Sequence, residues 1–182
     1  MLPIAPLMIE HRLIERMIAL ISKETERISG GGEPDPAFID EAVDFIRTYA
    51  DRCHHGKEED ILFRTLDKKE LSSFDRLIME ELLEDHRKGR ENVVRLTASK
   101  DRYIKGARDE VAVILEELRF FIDFYPNHIE REDRHFFMPS MSYLSPDEKD
   151  AMLNEEHAFD RDLIHRLYKE KVFLEEKRRF RP

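Results

Sequence analysis

Apolar residues recur in helical steps along most of the chain. In the first segment Leu7, Ile14, Ile18, Ile21 and Ile28 follow one another at intervals of three, four and seven, the spacing of one face of an amphipathic helix. His11 falls on that stripe, where an imidazole must find a partner or bear a desolvation cost. The run Ser29-Gly30-Gly31-Gly32-Glu33-Pro34-Asp35-Pro36 ends this pattern and opens a second helix, with Asp35 as N-cap and Pro36 at the first helical position. That helix is predicted from Pro36 to about Leu66, with Ile39, Val43, Ile46, Ala50, His54, Glu58 and Leu62 as its inner line. Asp67-Lys68-Lys69-Glu70 has the form of a capping box and predicts a third helix carrying Phe74, Ile78, Leu82, Val93 and Leu96, with His86 and Gly89 between them. A polar connection is predicted from Thr97 to Lys105. A fourth helix should then run from about Arg108 through Val111, Leu115, Leu118, Phe121, Ile122 and Tyr125 to His128 and Glu132. Pro126 predicts a kink in it. Ser145-Pro146-Asp147-Glu148 is a further capping box, opening a fifth helix that reaches at least Tyr168. No segment alternates as a strand does. The expected fold is all-α: an up-down-up-down four-helix bundle with a C-terminal fifth helix.

The polar residues on the apolar lines form a pattern written twice. His54-His55-Gly56-Lys57-Glu58-Glu59-Asp60-Ile61-Leu62-Phe63 and His128-Ile129-Glu130-Arg131-Glu132-Asp133-Arg134-His135-Phe136-Phe137 share a His, a Glu four residues later, a following acid and two large apolar residues. At 3.6 residues per turn, His and Glu four apart lie on one face and can point at one metal site. Each pair has a solitary His upstream, in Glu10-His11-Arg12 and in Glu84-Asp85-His86-Arg87, and the copies lie about 75 residues apart, which implies a duplicated helical hairpin. Aligning the copies on Leu62-Phe63 and Phe136-Phe137 turns His54 and Glu58 inward, although His55 and Glu59 lie only about 100° further round. Antiparallel helices would bring His11, His54, Glu58, His86, His128 and Glu132 to one level of an apolar core. Burying them without a cation costs several kcal/mol per unpaired group. A metal site of nitrogen and oxygen donors satisfies them together and suits iron, with manganese or zinc as substitutes. The plainer reading of any one of these histidines, a core imidazole bonded to a carbonyl, does not account for the doubled set.

Composition narrows the setting. The 182 residues suffice for a single domain with a real core. A net charge of −9 argues against nucleic acid or an anionic membrane surface as partner, and no apolar run is long enough to span a bilayer. The apolar opening Met1 to Ile9 lacks the basic start and cleavage site of a signal peptide. The sole cysteine, Cys53, excludes an internal disulfide framework and suits a reducing, cytoplasmic setting. The basic run Lys177-Arg178-Arg179-Phe180-Arg181 reads as a polar tail.

The combination of Glu10-His11, His54-x3-Glu58-Glu59, Glu84-Asp85-His86 and His128-x3-Glu132-Asp133 resembles the hemerythrin-like domains that bind cations through His-His-Glu motifs. The likeness covers roughly residues 5 to 140, with a C-terminal helical extension over about 145 to 175. It implies a non-haem di-iron centre of two Fe ions, with Glu58 and Glu132 bridging and the histidines capping. The functions it implies are dioxygen carriage, oxygen or iron sensing, or protection of iron centres under nitrosative or oxidative stress. The carriers of the family place two histidines four apart on the third helix, whereas Leu82 stands four before His86 here. They also place the last carboxylate five residues after its His, where this chain has Asp133. Four His and two Glu come nearer to the bacterial iron-centre repair proteins of the family, although the extra Cys-bearing N-terminal domain common in those is not seen. Two histidines per iron would leave both irons open to an exogenous ligand and make the site a poor reversible carrier.

The leading expectation is therefore a di-iron protein that reacts with or senses O₂, NO or peroxide. The alternative is a sensor or interaction module whose metal is structural. Whether the reaction is enzymatic, and whether His55, Glu59, Asp133, His135 or His157 adds to the site, is left open by the residues; His165 is the least favoured of the histidines.

Overall fold

The computed structural model describes residues 1–179, except for the side chains of residues 164–166 and of those after Leu167. His165 and the side chains of the basic run from Lys177 lie outside the described residues. Every regular element among the described residues is helical. Helix α1 is Ile4–Ser29. Helix α2, residues 36–66, begins as the α-helix Pro36–Phe45, passes through π-helical stretches at Ile46–His55 and Glu58–Phe63, and closes with Arg64–Leu66. Helix α3 is Ser73–Ile104. Helix α4, residues 110–140, comprises the α-helix Glu110–Arg131, a π-helical stretch Glu132–Phe136 and the last turn Phe137–Ser140. A 3₁₀ turn Met141–Tyr143 leads to α5, Pro146–Arg179. Short connections join the first four helices; α1 packs on α4, α4 on α3, and α3 on α2, closing a bundle.

The capping chemistry explains where the helices start. Asp35 accepts from the backbone N–H of Ala37 and Phe38, as predicted. Ser145 and Glu148 form the reciprocal box that opens α5, with Ser145 N–H donating to Glu148 Oε2 at 2.8 Å. The third helix starts later than the sequence suggested. Its cap is Ser72, which accepts from the Asp75 N–H, while Asp67 lies in the preceding turn and pairs with Arg76. The predicted polar connection from Thr97 to Lys105 is instead the last two turns of α3, because its polar side chains are tied down. Ser99 donates to Glu110 at 2.6 Å and Lys100 to Asp40 at 2.6 Å, and Tyr103 is buried. The chain turns at Gly106, whose φ of 105° favours glycine. Helix α4 accordingly begins at Glu110 rather than Arg108 and continues through Pro126.

The core is divided. One apolar cluster holds Ile14, Ile18, Ala50, Val93, Tyr125 and Ile129 among others; the second holds Leu7, Ile61, Leu82 and Phe136. On each of the first four helices the chain crosses from one cluster to the other through a polar residue. His11 lies between Leu7 and Ile14, His54 and Glu58 between Ala50 and Ile61, His86 between Leu82 and Val93, and His128 and Glu132 between Tyr125 and Phe136. The stripes that close the bundle thus place one polar layer across its middle.

Helix α5 lies against α2 at Gly56, where an added Cβ would come within 2.8 Å of the Phe159 ring. Replacing a mid-helix glycine normally favours a helix by about 1 kcal/mol. Here Gly56→Leu is expected to lower stability by about 1–3 kcal/mol through overpacking, as read by urea unfolding. A stabilised variant would show that α5 does not rest on this position.

Candidate metal centre

The polar layer brings all six predicted side chains together. His11, His54, Glu58, His86, His128 and Glu132 are each at most 2% exposed. Each glutamate spans between two helices. Glu58 Oε1 lies 3.5 Å from His54 Nε2 and its Oε2 lies 3.3 Å from His86 Nε2. Glu132 Oε2 lies 3.1 Å from His11 Nε2 and its Oε1 3.1 Å from His128 Nε2. His11 and His54 meet at 2.9 Å between their Nε2 atoms.

A seventh side chain belongs to the layer. His55 is buried too, at 3% exposure; its ring stacks on His86 with centroids 3.9 Å apart and meets His128 edge-on at 5.6 Å. An α-helix steps about 100° per residue, so the sequence offered a choice between His54 and His55. The π-helical stretch Ile46–His55 removes the choice. Its i→i+5 bonding puts more residues in each turn and reduces the step, so that both imidazoles face inward. The signal in the sequence was the His54-His55 pair itself, which the 3.6-residue period could not use. Two groups of donor atoms result, each within 4.8 Å: His11, His54, Glu58 and Glu132, and beside them His55, His86 and His128. Leu82 is buried in apolar surroundings. One donor group holds three imidazoles, with His55 from α2 beside His86 and His128, and the other holds two, where the sequence predicts two on each side.

The outer nitrogens show what the acids beside the motif do. His11 Nδ1 lies 2.8 Å from Asp133, His54 Nδ1 3.0 Å from Glu10, and His86 Nδ1 2.7 Å from Glu59. His55 Nδ1 and His128 Nδ1 lie 3.5 and 3.6 Å from Asp51 and Asp85. The rule is crosswise: the acid next to a central residue on one helix serves the histidine of a neighbouring helix. It obeys the duplication, since Glu10 is to His54 as Asp85 is to His128, and Asp133 is to His11 as Glu59 is to His86. Cations back these acids in turn, Arg12 on Asp133, Arg90 on Asp51 and Glu59, Arg131 on Asp85, and Lys57 on Glu10. Burial opposes the charged form of Glu59 and Asp85, yet His86 with Arg90, and His128 with Arg131, hold both carboxyls below their usual value. Carboxylates on the outer nitrogen fix ring orientation and leave Nε2 free to point inward. Glu59 and Asp133 therefore occupy outer positions, while His135 and His157 are exposed.

The residues fit a metal. Both oxygens of Glu58 and of Glu132, and the Nε2 atoms of His55, His86 and His128, are buried without a hydrogen-bond partner. Each such atom costs about 1–3 kcal/mol, a cost that cations between them remove. Burial and the neighbouring His86, His54 and His128 push His55 well below the usual imidazole value, keeping it in the neutral form that ligates metal. The donors are nitrogen and oxygen throughout. Cys53 is not among them: burial pushes its thiol up to about 12, and its Sγ lies 3.4 Å from Asp160. Glu10, Cys53 and Asp160 form a third group of donor type, but the fully buried ammonium of Lys57 bridges Glu10 and Asp160 and supplies the cation there.

A helical bundle with paired His and Glu at its centre defines a class of cation-binding proteins. The hemerythrin HHE cation binding domain family model matches residues 2–138, and the chain belongs to that family. No curated protein and no solved structure gives a significant match. Helix α5 lies beyond the matched segment, yet through Asp160, Lys57 and Glu10 it reaches the outer nitrogen of His54.

Beside that chain of contacts Glu156 is buried with both carboxylate oxygens unpartnered. Burial pushes its carboxyl up to about 8, against the pull of Lys57. Between the unfolded value near 4 and this folded value, the folded state binds the extra proton. The stabilising contribution is thus full below about pH 4 and lost as pH rises through about 8. Urea unfolding followed from about pH 5 to about pH 9 should show this loss, and Glu156→Gln should flatten it. An unchanged slope would mean that Glu156 is solvated.

Proposed function

We propose that the chain is a non-haem di-iron protein that reacts with or senses a small ligand, O₂, NO or peroxide, in oxidative or nitrosative stress. Two irons would lie in the polar layer, with zinc or manganese as substitutes. Glu58 and Glu132 would bridge them, His11 and His54 would cap one, and His55, His86 and His128 the other. When bound, the metal pair supplies redox chemistry and a place for the ligand. The protein's own residues decide where that place is.

The observation that carries this reading is the break in the internal duplication. The residue that corresponds to His55 in the second copy is Ile129, which is buried in the core. The side with His55 is complete, and the side with His11 and His54 lacks its third histidine. An exogenous ligand would take that position, against Ile129, which also lines a cleft between α1 and α4 together with Arg12, Ile18 and Tyr125. The expectation of two irons equally open to an exogenous ligand rested on two histidines per side; with His55 beside His86 and His128, one open side is proposed in its place. By resemblance, three histidines on one iron and two on the other is the count of the oxygen carriers. A second reading, a sensor, is favoured by α5, whose Asp160 pairs with Lys57, the cation on Glu10, from outside the matched segment. A single domain spanning residues 1–182, located in the cytoplasm, belongs to either reading; no helix among the described residues is long and apolar enough to cross a membrane.

Elemental analysis of anaerobically reconstituted protein should give two metal ions per chain. His54→Ala and His128→Ala should each lose at least one ion, and His157→Ala should keep both. Full metal content in the first two variants would contradict the assignment. Removing the metal should lower the melting temperature, since a ligand at a thousandfold excess over its Kd stabilises the native state by about 4 kcal/mol. Azide or NO should bind at one per metal pair. Ile129→His should keep both metals and abolish that binding; unchanged azide uptake in this variant would move the open position elsewhere.

A further inference from the structure

We propose that a second cavity, between α2 and α3, binds a small neutral apolar molecule against the three-histidine side of the centre. The cavity measures about 200 Å³ and ends on His55 and His86. Its walls are Ile46, Val93, Val94, Tyr125 and the bare backbone of Gly89. Asp51, Arg47 and Arg90 stand among the same lining residues. Arg90 is already bound to Asp51 at 2.8 Å and Glu59 at 2.6 Å, and Arg47 donates to Thr97 at 3.2 Å. No buried cation among these residues waits for an anionic ligand, so the walls favour a neutral, apolar body.

Gly89 is the residue that points to a ligand. A glycine within α3 costs about 1 kcal/mol against alanine, and the usual reason is a helix packed too close for a Cβ. That reason fails here: the nearest atom to an added Cβ is Phe124 Cε1 at 3.9 Å, an ordinary contact. What the glycine leaves is room in the cavity. The duplicated half makes the same comparison, for the cleft between α1 and α4 is its counterpart, and Ile14 there corresponds to Gly89. Ile14 is buried in the core and fills its position. At this one position α1 carries an isoleucine side chain and α3 carries none, although the α1–α4 cleft also remains open, along Ile18, Tyr125 and Ile129. In volume the cavity exceeds the roughly 150 Å³ of an apolar cavity that admits benzene or xenon, and is more than a diatomic needs. Taken with the di-iron reading, on which only this consequence rests, the arrangement puts an apolar molecule on one side of the centre and the exogenous diatomic on the other.

The test uses the full chain, both metal-free and zinc-loaded, titrated with benzene and followed by methyl NMR. Saturable shifts of Ile46, Val93 and Val94, at one benzene per chain, are expected in both forms. Gly89→Leu should weaken binding at least tenfold. Val94→Trp, at a position 62% exposed and therefore harmless to the core, should do the same by narrowing the cavity from outside. Benzene shifts confined to Ile14, Ile18 or Ile129, unsaturable shifts, or full binding in both variants would overturn the proposal. Benzene binding in a chain that takes up no metal on reconstitution would leave this site standing and sink the di-iron reading. Metal binding without benzene binding would do the reverse.

Discussion

The bundle depends on a polar layer placed between two apolar clusters. Five imidazoles and two carboxylates meet there with almost no exposure to water, and many of their inward atoms have no hydrogen-bond donor or acceptor to face. Apolar burial above and below the layer closes the four helices, at about 1.5–3 kcal/mol for each fully buried large side chain. That same closure strands the polar groups between. Positive charge is what the layer lacks at its centre, and the carboxylates of Glu132, Glu58 and Glu59 draw His86 well above the usual imidazole value against the effect of burial. Cations held between the two glutamates would meet the demand without protons. Stability and metal binding are therefore one problem in this fold.

Around the layer the protein has built a second ring that makes the first one specific. Carboxylates are hydrogen-bonded to the outer nitrogens of His11, His54 and His86 and stand 3.5 and 3.6 Å from those of His55 and His128, and Arg or Lys lies behind each carboxylate. Because each acid belongs to a different helix from the imidazole it serves, with Asp51 and His55 the exception, the ring also fixes the helices against one another. The duplication explains its order. Departures from the duplication, His55 against Ile129 and Gly89 against Ile14, are where the two halves differ in what they can hold.

The sequence was legible where a single helical period governs. The five helices, the Asp35 cap, the box at Ser145 and the six central residues follow from apolar lines at 3.6-residue spacing. It was misleading where tertiary contacts overrule local polarity. The stretch from Thr97 to Lys105 reads as a connection by composition, but it is helix because Ser99, Lys100 and Tyr103 have partners on other elements. Asp67 and Glu70 read as a cap, but Ser72 and Asp75 take that role. The π-helical stretches were out of reach, since a widened turn leaves no mark in a pattern analysed at one fixed period. With them went the decision on His55, which the sequence leaves open, and so the asymmetry of the centre. The crossing of acids between helices was equally hidden, because a charge next to a ligand on the chain says nothing about which neighbour it will face.

Occupancy and asymmetry are the two properties of the polar layer on which its chemistry depends. Anomalous scattering from crystals of the iron-loaded chain measures both at once. Two iron peaks are predicted between Glu58 and Glu132, one bounded by the Nε2 atoms of His55, His86 and His128 and the other by those of His11 and His54, with the free side of the second facing Ile129. A single peak, an empty layer, or two irons with His55 turned away from both would contradict it.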